Sequence, residues 1–417
     1  MTAPTARAEV SPPEPGLTPQ QMIERAIALR PELIADQAET EKRTFYSPEM
    51  HQRFLDAGFY HLYVPRRYGG YEFDVPTYVR TVQEIARGCV STGWCLGLTM
   101  NHALMVGSWW PEEAQDAIFA AGDFRASSVA APVGPATRDP EEWLIEGQVA
   151  YASGTPYSTY YMGQALLPVQ DPTAPPPLLL FVAPRSQWEM LDDWGDTLGL
   201  KGSGSHSIRF EHARIPDAWG FEGNMIDIDV AGGTPGSRLH GNPMYSGRAL
   251  CVFTMSLAAV MVGGAYNALD EWERLMRTKG TPLPPFGPRV KDREHQRWYG
   301  RALTHIATAE AALRDTAERH MWFCRRNVEE GIEYRYGDDM LLAGVARELM
   351  LACWNVMNDD LWQTMGASAA RDDQRIARVF RDLAVGAAHR NLQLRDMMYG
   401  EIAREALGEP RVPFGEG

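Results

Sequence analysis

The stretch GLKGSGSHSIRFEHARIPD, residues 199–217, places three glycines and three serines within nine positions. A dinucleotide-binding turn would need a further glycine after Gly202 and Gly204, then a helix facing the pyrophosphate. Here position 207 is Ser, and Ile208-Arg209-Phe210-Glu211 alternates as a strand does. The segment therefore reads as a tight, hydroxyl-rich loop feeding a strand, with Ser205 among its donors. Other groups able to hold or move a proton are spread along the chain. Ser128 stands in ASSV, and Ser153 precedes Gly154 in YASG. Trp94 in STGW and His102 in MNHALM are two helical turns apart, so both project toward roughly one face. His389 ends the run AVGAAH, and an imidazole titrates near neutrality. Arg289 in FGPRVK carries the fork that suits phosphate. Each has a plainer reading as a satisfied helix histidine, a turn serine, a core tryptophan or a register-setting turn. Arg378, Arg381 and Asp382 likewise read as an ion-paired helix face.

Three kinds of element must position these groups. Residues 18–122 read as helices. Thr18-Pro19-Gln20-Gln21 is a capping box with proline at the first helical position. Ser47-Pro48 and Asp74-Val75-Pro76 start two more, and residues 95–121 continue in helical style. Residues 123–235 change character: WLIEGQVAYASG, LLLFVAPR and SIRFEHARI are short β-rich runs bounded by Gly, Pro and Asp. The Pro-rich stretch 172–177 is expected to be a hairpin-like connection. Residues 236–417 return to helical spacing, with Leu342, Val345, Ala346, Leu349, Cys353, Val356 and Met357 on one stripe. Long helices with short links predict a four-helix bundle, broken at 282–288. The fold class expected is mainly α with a central β domain.

Composition excludes several functions. The net charge of −14 argues against a nucleic-acid partner and against anionic membrane surfaces. The five cysteines are scattered without a CxxC pair, which implies neither a zinc site nor a disulfide frame and fits a reducing cytoplasm. Residues 249–265 are mostly apolar but too short and too polar for a membrane span, and are expected to form a buried helix. Residues 1–17, rich in Pro, Ala and Glu, are expected to form a disordered tail.

Specific residues carry a resemblance. LDAGFYHLYVPRRYGGYEFDVPTYVRTVQEIARGCVSTGW resembles the N-terminal domain of the acyl-CoA dehydrogenase superfamily, and GLKGSGS resembles that family's loop along the flavin. RIARVFRDLAVGAAH is similar to the closing helix of one branch, the oxygenase components of two-component flavin monooxygenases. The resemblance covers residues 20–400. It implies the three-part acyl-CoA dehydrogenase fold and reduced flavin, with FMN ahead of FAD. It also implies O2, a separate NAD(P)H–flavin reductase, a small aromatic or heteroaromatic substrate and a homotetramer. In that branch the flavin forms a C4a-hydroperoxide. Trp94, His102, Ser128, Ser153 and Ser205 then line the flavin, Ser153 hydrogen-bonds its N5 region, and Arg289 reaches its phosphate across a subunit boundary. His389 stands near the substrate and accepts a phenol proton.

Departures matter as well. The carboxylate motif of the dehydrogenases is not present: the region reads MYGEIAREALGEP, with Glu401 but no YEGT-like run. ASGTPYSTYY replaces the SSGCDHASW run common among phenol hydroxylases, so a simple phenol is not assured. Four readings therefore stand: an aromatic hydroxylase, an N-hydroxylase of an amine or amino sugar, a dehydrogenase holding oxidised flavin, and a non-catalytic binding protein.

Overall fold

A computed structural model describes residues 10–169 and 176–410 of the chain. Residues 1–9 of the expected tail and 172–175 of the expected hairpin connection lie outside the described residues. Helices come first: α1 Pro19–Arg43, α2 Pro48–Asp56, α3 Val75–Gly88, α4 Val90–Trp109 and α5 Glu112–Phe119. Their starts are those the local chemistry dictates. Thr18 Oγ1 accepts from Gln21 N while the Gln21 side chain accepts from Thr18 N. Ser47 and Asp74 cap α2 and α3 in the same way.

Seven strands follow: β1 Ala126–Asp139, β2 Glu142–Val149, β3 Tyr160–Leu166, β4 Leu178–Pro184, β5 Glu189–Met190, β6 Ile208–Pro216 and β7 Gly220–Glu222. They form one sheet in the order β5-β6-β2-β1-β3-β4-β7. β1 and β3 are parallel and the other pairs antiparallel. β1 shifts register at Pro132 and again at Pro135, because proline has no N–H to give the ladder. The helical part resumes with α6 Pro235–His240, α7 Leu250–Thr278, α8 Arg293–Arg325, α9 Tyr336–Asn355, α10 Arg375–Ala387, α11 Arg390–Gln393 and α12 Arg395–Leu407.

α7 is the spine of the bundle. It contacts α8, α9 and α10 on its own side, and α3 and α4 across the molecule. The approach to α3 depends on Gly263, where an added Cβ would lie 2.3 Å from Gln83 O and 2.7 Å from Ala86 Cβ. α7 and the segment Tyr336–Thr364 are long and apolar enough to cross a membrane, and most of each lies buried against protein. Around α4, only Leu98 is less than fully buried. Its Gly93 and Gly97 let it close on Ala86 and Val82 of α3.

The loop 199–205 is clamped between α1, α4 and α10. A Cβ on Gly199 would lie 2.1 Å from Arg381 O, and one on Gly202 would lie 2.5 Å from Thr40 Cγ2. Asp382 of α10 accepts from Leu200 N at 2.6 Å and from Ser91 Oγ at 3.1 Å. The ion-paired helix face expected for Arg378, Arg381 and Asp382 is therefore corrected. The two arginines turn to Glu41 of α1, at 2.9 and 2.8 Å, while Asp382 turns inward. A buried carboxylate takes hydrogen-bond donors it can reach without carrying two guanidinium groups into the interior.

A Gly263→Ala variant should lose about 1–3 kcal/mol, the usual cost of overpacking a dense crossing, read as a lower urea midpoint. Gly300→Ala on α8, where nothing lies within 4 Å of the new methyl, should be neutral or stabilising by up to ~1 kcal/mol. Equal effects at both sites would refute the tight α3–α7 contact.

Candidate active site

A buried polar cluster is built where α4, the 150s turn, the 199–205 loop and the end of α10 meet. Trp94 Nε1 donates to Ser153 Oγ at 3.1 Å. Ser153 Oγ lies 2.8 Å from Ser205 Oγ, which lies 2.6 Å from Ser203 Oγ. All four side chains are buried. Gly154 makes this possible: it has φ +79°, and a Cβ there would lie 2.1 Å from Thr99 Oγ1, so only glycine lets the serine turn reach α4. The hydrogens of the chain can be counted. Three hydroxyls bring three hydrogens and use two between themselves, while Trp94 supplies its own. One hydroxyl hydrogen remains to be given to something else.

Two histidines, His389 beside this chain and His102 two turns further along α4, present opposite chemistry. His102 is buried, and its Nδ1 lies 2.6 Å from Ala126 O at the start of β1. A carbonyl only accepts, so Nδ1 carries the hydrogen and neutral Nε2 keeps its lone pair. Burial lowers the His102 pKa to about 4. The Phe253 ring of α7 stands 6.0 Å from it. His389 caps α11, and its Nδ1 accepts from Asn391 N at 3.1 Å. Its neutral ring therefore carries hydrogen on Nε2. Its ring meets Trp94 edge-on at 5.4 Å. His389 itself is exposed on one side. Crowding by surrounding protein, then the positive charge of Arg347, lowers its pKa. In this arrangement Nδ1 is taken by a backbone N–H, and Nε2 is the nitrogen left open.

The remaining residues singled out in the sequence are placed less centrally. Ser128 is half-buried on β1 beside Met162 of β3 and shares no hydrogen bond with the hydroxyl chain. Arg289 stands apart, half-buried in the turn before α8, with Nε on Gly280 O at 2.9 Å. Three residues escaped the sequence reading. Ser203 completes the hydroxyl chain, and its place in the same GSGS run was a usable signal. Asn391 and Thr254, joined at 3.3 Å, brace the His389 turn, and nothing in their types announces it. A cavity of about 590 Å³ lies elsewhere, open and polar, between Arg66, Arg67, Glu72 and residues 239–243. No His, Cys, Asp and Glu cluster able to hold a metal occurs among the described residues.

A reduced flavin fits this donor set. A ring system edged with nitrogens and carbonyls needs hydrogen-bonding groups in a dry setting, and the spare hydroxyl hydrogen and the backbone of a glycine-relaxed loop are such groups.

A helical domain, a mixed sheet and a helical bundle in this order make up the acyl-CoA dehydrogenase fold. Two family models match the chain: acyl-CoA dehydrogenase, N-terminal domain, over residues 20–117, and acyl-CoA dehydrogenase, C-terminal domain, over residues 255–394. Together they span more than half of it, and the chain belongs to the acyl-CoA dehydrogenase family. It is similar to a "pigment production hydroxylase" of Rhodococcus sp., with 27% identity over 94% of this chain and 96% of the relative. It is also similar to the "flavin-dependent monooxygenase, oxygenase subunit HsaA" of Rhodococcus jostii, with 25% identity over 88% and 93%. Among solved structures, XiaF from Streptomyces sp., in complex with FADH2 and glycerol, superposes with a TM-score of 0.83 at 20% identity, over 95% of this chain and 97% of the other.

The pKa of His102 yields a pH prediction. An unfolded histidine binds a proton near ~6.5 and the folded one only near 4, so between these values the unfolded chain holds more protons. Stability is therefore present above pH ~6.5 and falls as the solution is acidified, by about 3 kcal/mol from this group once the window is crossed. In His102→Gln the urea midpoint should fall less between pH 7 and pH 5 than in the parent chain. An NMR titration of folded His102 centred near neutrality would refute its assigned state.

Proposed function

We propose that this chain is the oxygenase component of a two-component flavin-dependent monooxygenase that hydroxylates an aromatic small molecule. The observation that carries this is the buried hydroxyl chain with one hydrogen to spare, with His389 edge-on to its tryptophan. Bound reduced flavin would supply the two electrons and the site of O2 activation, with FMN the first choice and FAD the second. One oxygen atom enters the substrate and the other leaves as water.

The residues divide the work. Trp94, Ser153 and Ser205 present the donor edge toward the flavin, and burial keeps water from hydrolysing what forms there. Ser128 lines the same side from β1. His102 Nε2, unprotonated at neutral pH, takes up a proton. Trp94 and Phe253 offer aromatic walls to the substrate. The Nε2–H of His389 donates to the substrate oxygen and so favours its ionised, electron-rich form. Arg289 holds a flavin phosphate in a neighbouring copy of a cytoplasmic homotetramer, and a separate NAD(P)H–flavin reductase delivers the flavin. A dehydrogenase reading has less support: no carboxylate hydrogen-bonds the hydroxyl chain among the described residues, and Glu401 lies on α12 beside Arg404.

Stopped-flow mixing of the protein, preloaded with reduced flavin, with O2 should give a transient spectrum distinct from oxidised flavin. Simple monophasic reoxidation would refute the proposal. Ser153→Ala should bind flavin nearly as well but release more hydrogen peroxide per product, since one hydrogen bond is worth ~1 kcal/mol net, or about fivefold. Unchanged coupling would remove Ser153 from that role. His102→Ala should slow the reaction with O2.

His389→Ala should react with O2 normally and lose ~10²–10⁴-fold in oxygen transfer, the usual size of a proton-handling contribution. For a phenol the loss should shrink toward pH ~10, where the substrate ionises unaided. Parental transfer rates in His389→Ala would end the assignment.

A further inference from the structure

The open cavity at the far end of α4 has no part in the reading above. At about 590 Å³ it falls within the size range of small-molecule sites, about 300–1,000 Å³. One wall is the turn 66–72 of the first helical domain, and the other is the segment 239–243 that leads toward α7. His240 Nε2 meets Gln115 Oε1 at 2.9 Å, and Gln115 Nε2 reaches Gly107 O at 3.2 Å. From Trp94 to Gly107 the rise of ~1.5 Å per residue amounts to ~20 Å along α4, so the cavity stands well away from the hydroxyl row.

Two charges on these walls are left unneutralised. Arg67 pairs with Glu112, but the exposed guanidinium of Arg66 has no ionic or hydrogen-bonded partner among the described residues. Glu72 takes two neutral donors, Arg66 N at 2.9 Å on Oε2 and Asn242 Nδ2 at 2.6 Å on Oε1, and no cation among the described residues. The two side chains do not pair with each other, although one short turn carries both. His240 adds no charge near neutral pH: burial, then the positive charge of Arg67, lowers its pKa to about 4.

The posture of Glu72 is a second observation. Its φ is +56°, in the left-handed region, which is costly for a residue with a side chain. Gly69, three positions earlier, takes φ +80° without that cost. The chain thus keeps a carboxylate where its backbone favours glycine, and ties it to Asn242 across the cleft, 170 positions away. A turn that only reverses the chain needs no carboxylate there. Leu239 and Pro243 supply the apolar part of the lining.

We propose that this cleft is a binding site for a small zwitterion of the α-amino-acid type, its carboxylate on the Arg66 guanidinium and its ammonium on Glu72. A guanidinium fork suits a carboxylate, and a carboxylate that accepts two neutral donors still has lone pairs for an ammonium. A molecule with one charge of each sign neutralises both groups at once. A simple anion or cation leaves one of them facing its own sign. An aliphatic side chain lies against Leu239 and Pro243. Bound there, the ligand joins the turn 66–72 to the segment before α7.

The test uses no flavin, O2 or aromatic ligand, and so stands or falls apart from the oxygenase reading. Isothermal titration of the full-length protein would use L-valine, L-leucine and L-methionine. Each is compared with the amine and the acid that lack one of its charges; for leucine these are isoamylamine and isocaproate. At least one amino acid should bind about tenfold or more tighter than either analogue, the size of a charge-assisted hydrogen bond. Arg66→Gln should erase the advantage over the amine, and Arg66→Lys should keep part of it. Glu72→Gln should erase the advantage over the acid. Absence of binding by all three amino acids at millimolar concentration overturns the proposal, as do affinities equal to those of the analogues. An undiminished advantage over the amine in Arg66→Gln overturns it too. Should Glu72→Gln fail to fold, the Arg66 variants, made at an exposed side chain, decide.

Discussion

The site depends on one buried carboxylate. Asp382 reaches from α10 to the N–H of Leu200 and to the hydroxyl of Ser91 at the start of α4. It thereby ties the bundle, the glycine loop and the first helical domain at a single point. Burial pushes its pKa up to about 7, so the group sits near its own ionisation and is tolerated only because both contacts are donors. Gly199 and Gly202 follow from this, since a side chain at either would strike Arg381 or Thr40. Once the loop is fixed, Ser203 and Ser205 fall in line with Ser153, and the hydroxyl chain exists.

The two histidines show how backbone, not side-chain type, assigns chemical role. Both are neutral imidazoles near physiological pH, and their sequence settings differ little. A carbonyl at the head of β1 makes one an acceptor; an amide in the first turn of α11 makes the other a donor. Neither partner is a side chain, so no motif at the level of residue types could have carried the distinction. Arg347 adds to this arrangement from behind by holding the Asn391 carbonyl.

Much of the architecture was legible in the sequence because its signals are local. The caps at Thr18, Ser47 and Asp74, the apolar stripe of α9 and the switch in periodicity after Phe124 each reflect chemistry within a few residues. β1 was not read, because two prolines and Gly134 break its alternation while its neighbours β2 and β3 still hold it in the sheet. Trp94, Ser153, Ser205 and His389 were singled out and touch one another in a row, while His102 sits further along α4. The contacts between them are not local: Ser153 and Ser205 are fifty-two positions apart. Arg289 is the opposite case, since a single chain leaves it away from the pocket. The inward turn of Asp382 was hidden because adjacent arginines suggested a surface pair, whereas Glu41, more than three hundred positions away, claims both.

The Trp94–Ser153–Ser205–Ser203 row has a further property: it can be polarised in either of two directions without moving a heavy atom. When the hydroxyls point from Ser203 toward Ser153, the free hydrogen is at Ser153, which is then a donor. When they point the other way, the hydrogen emerges at Ser203, and Ser153 is left with a lone pair beyond the one Trp94 uses. Such a row is a reversible two-position element, switched by rotation of three light atoms. A ring nitrogen that carries hydrogen in one oxidation state and lacks it in the other would find a matching partner in both. The pocket need not rearrange its backbone between the halves of a redox cycle, which suits walls as closely packed as α4 and its glycines.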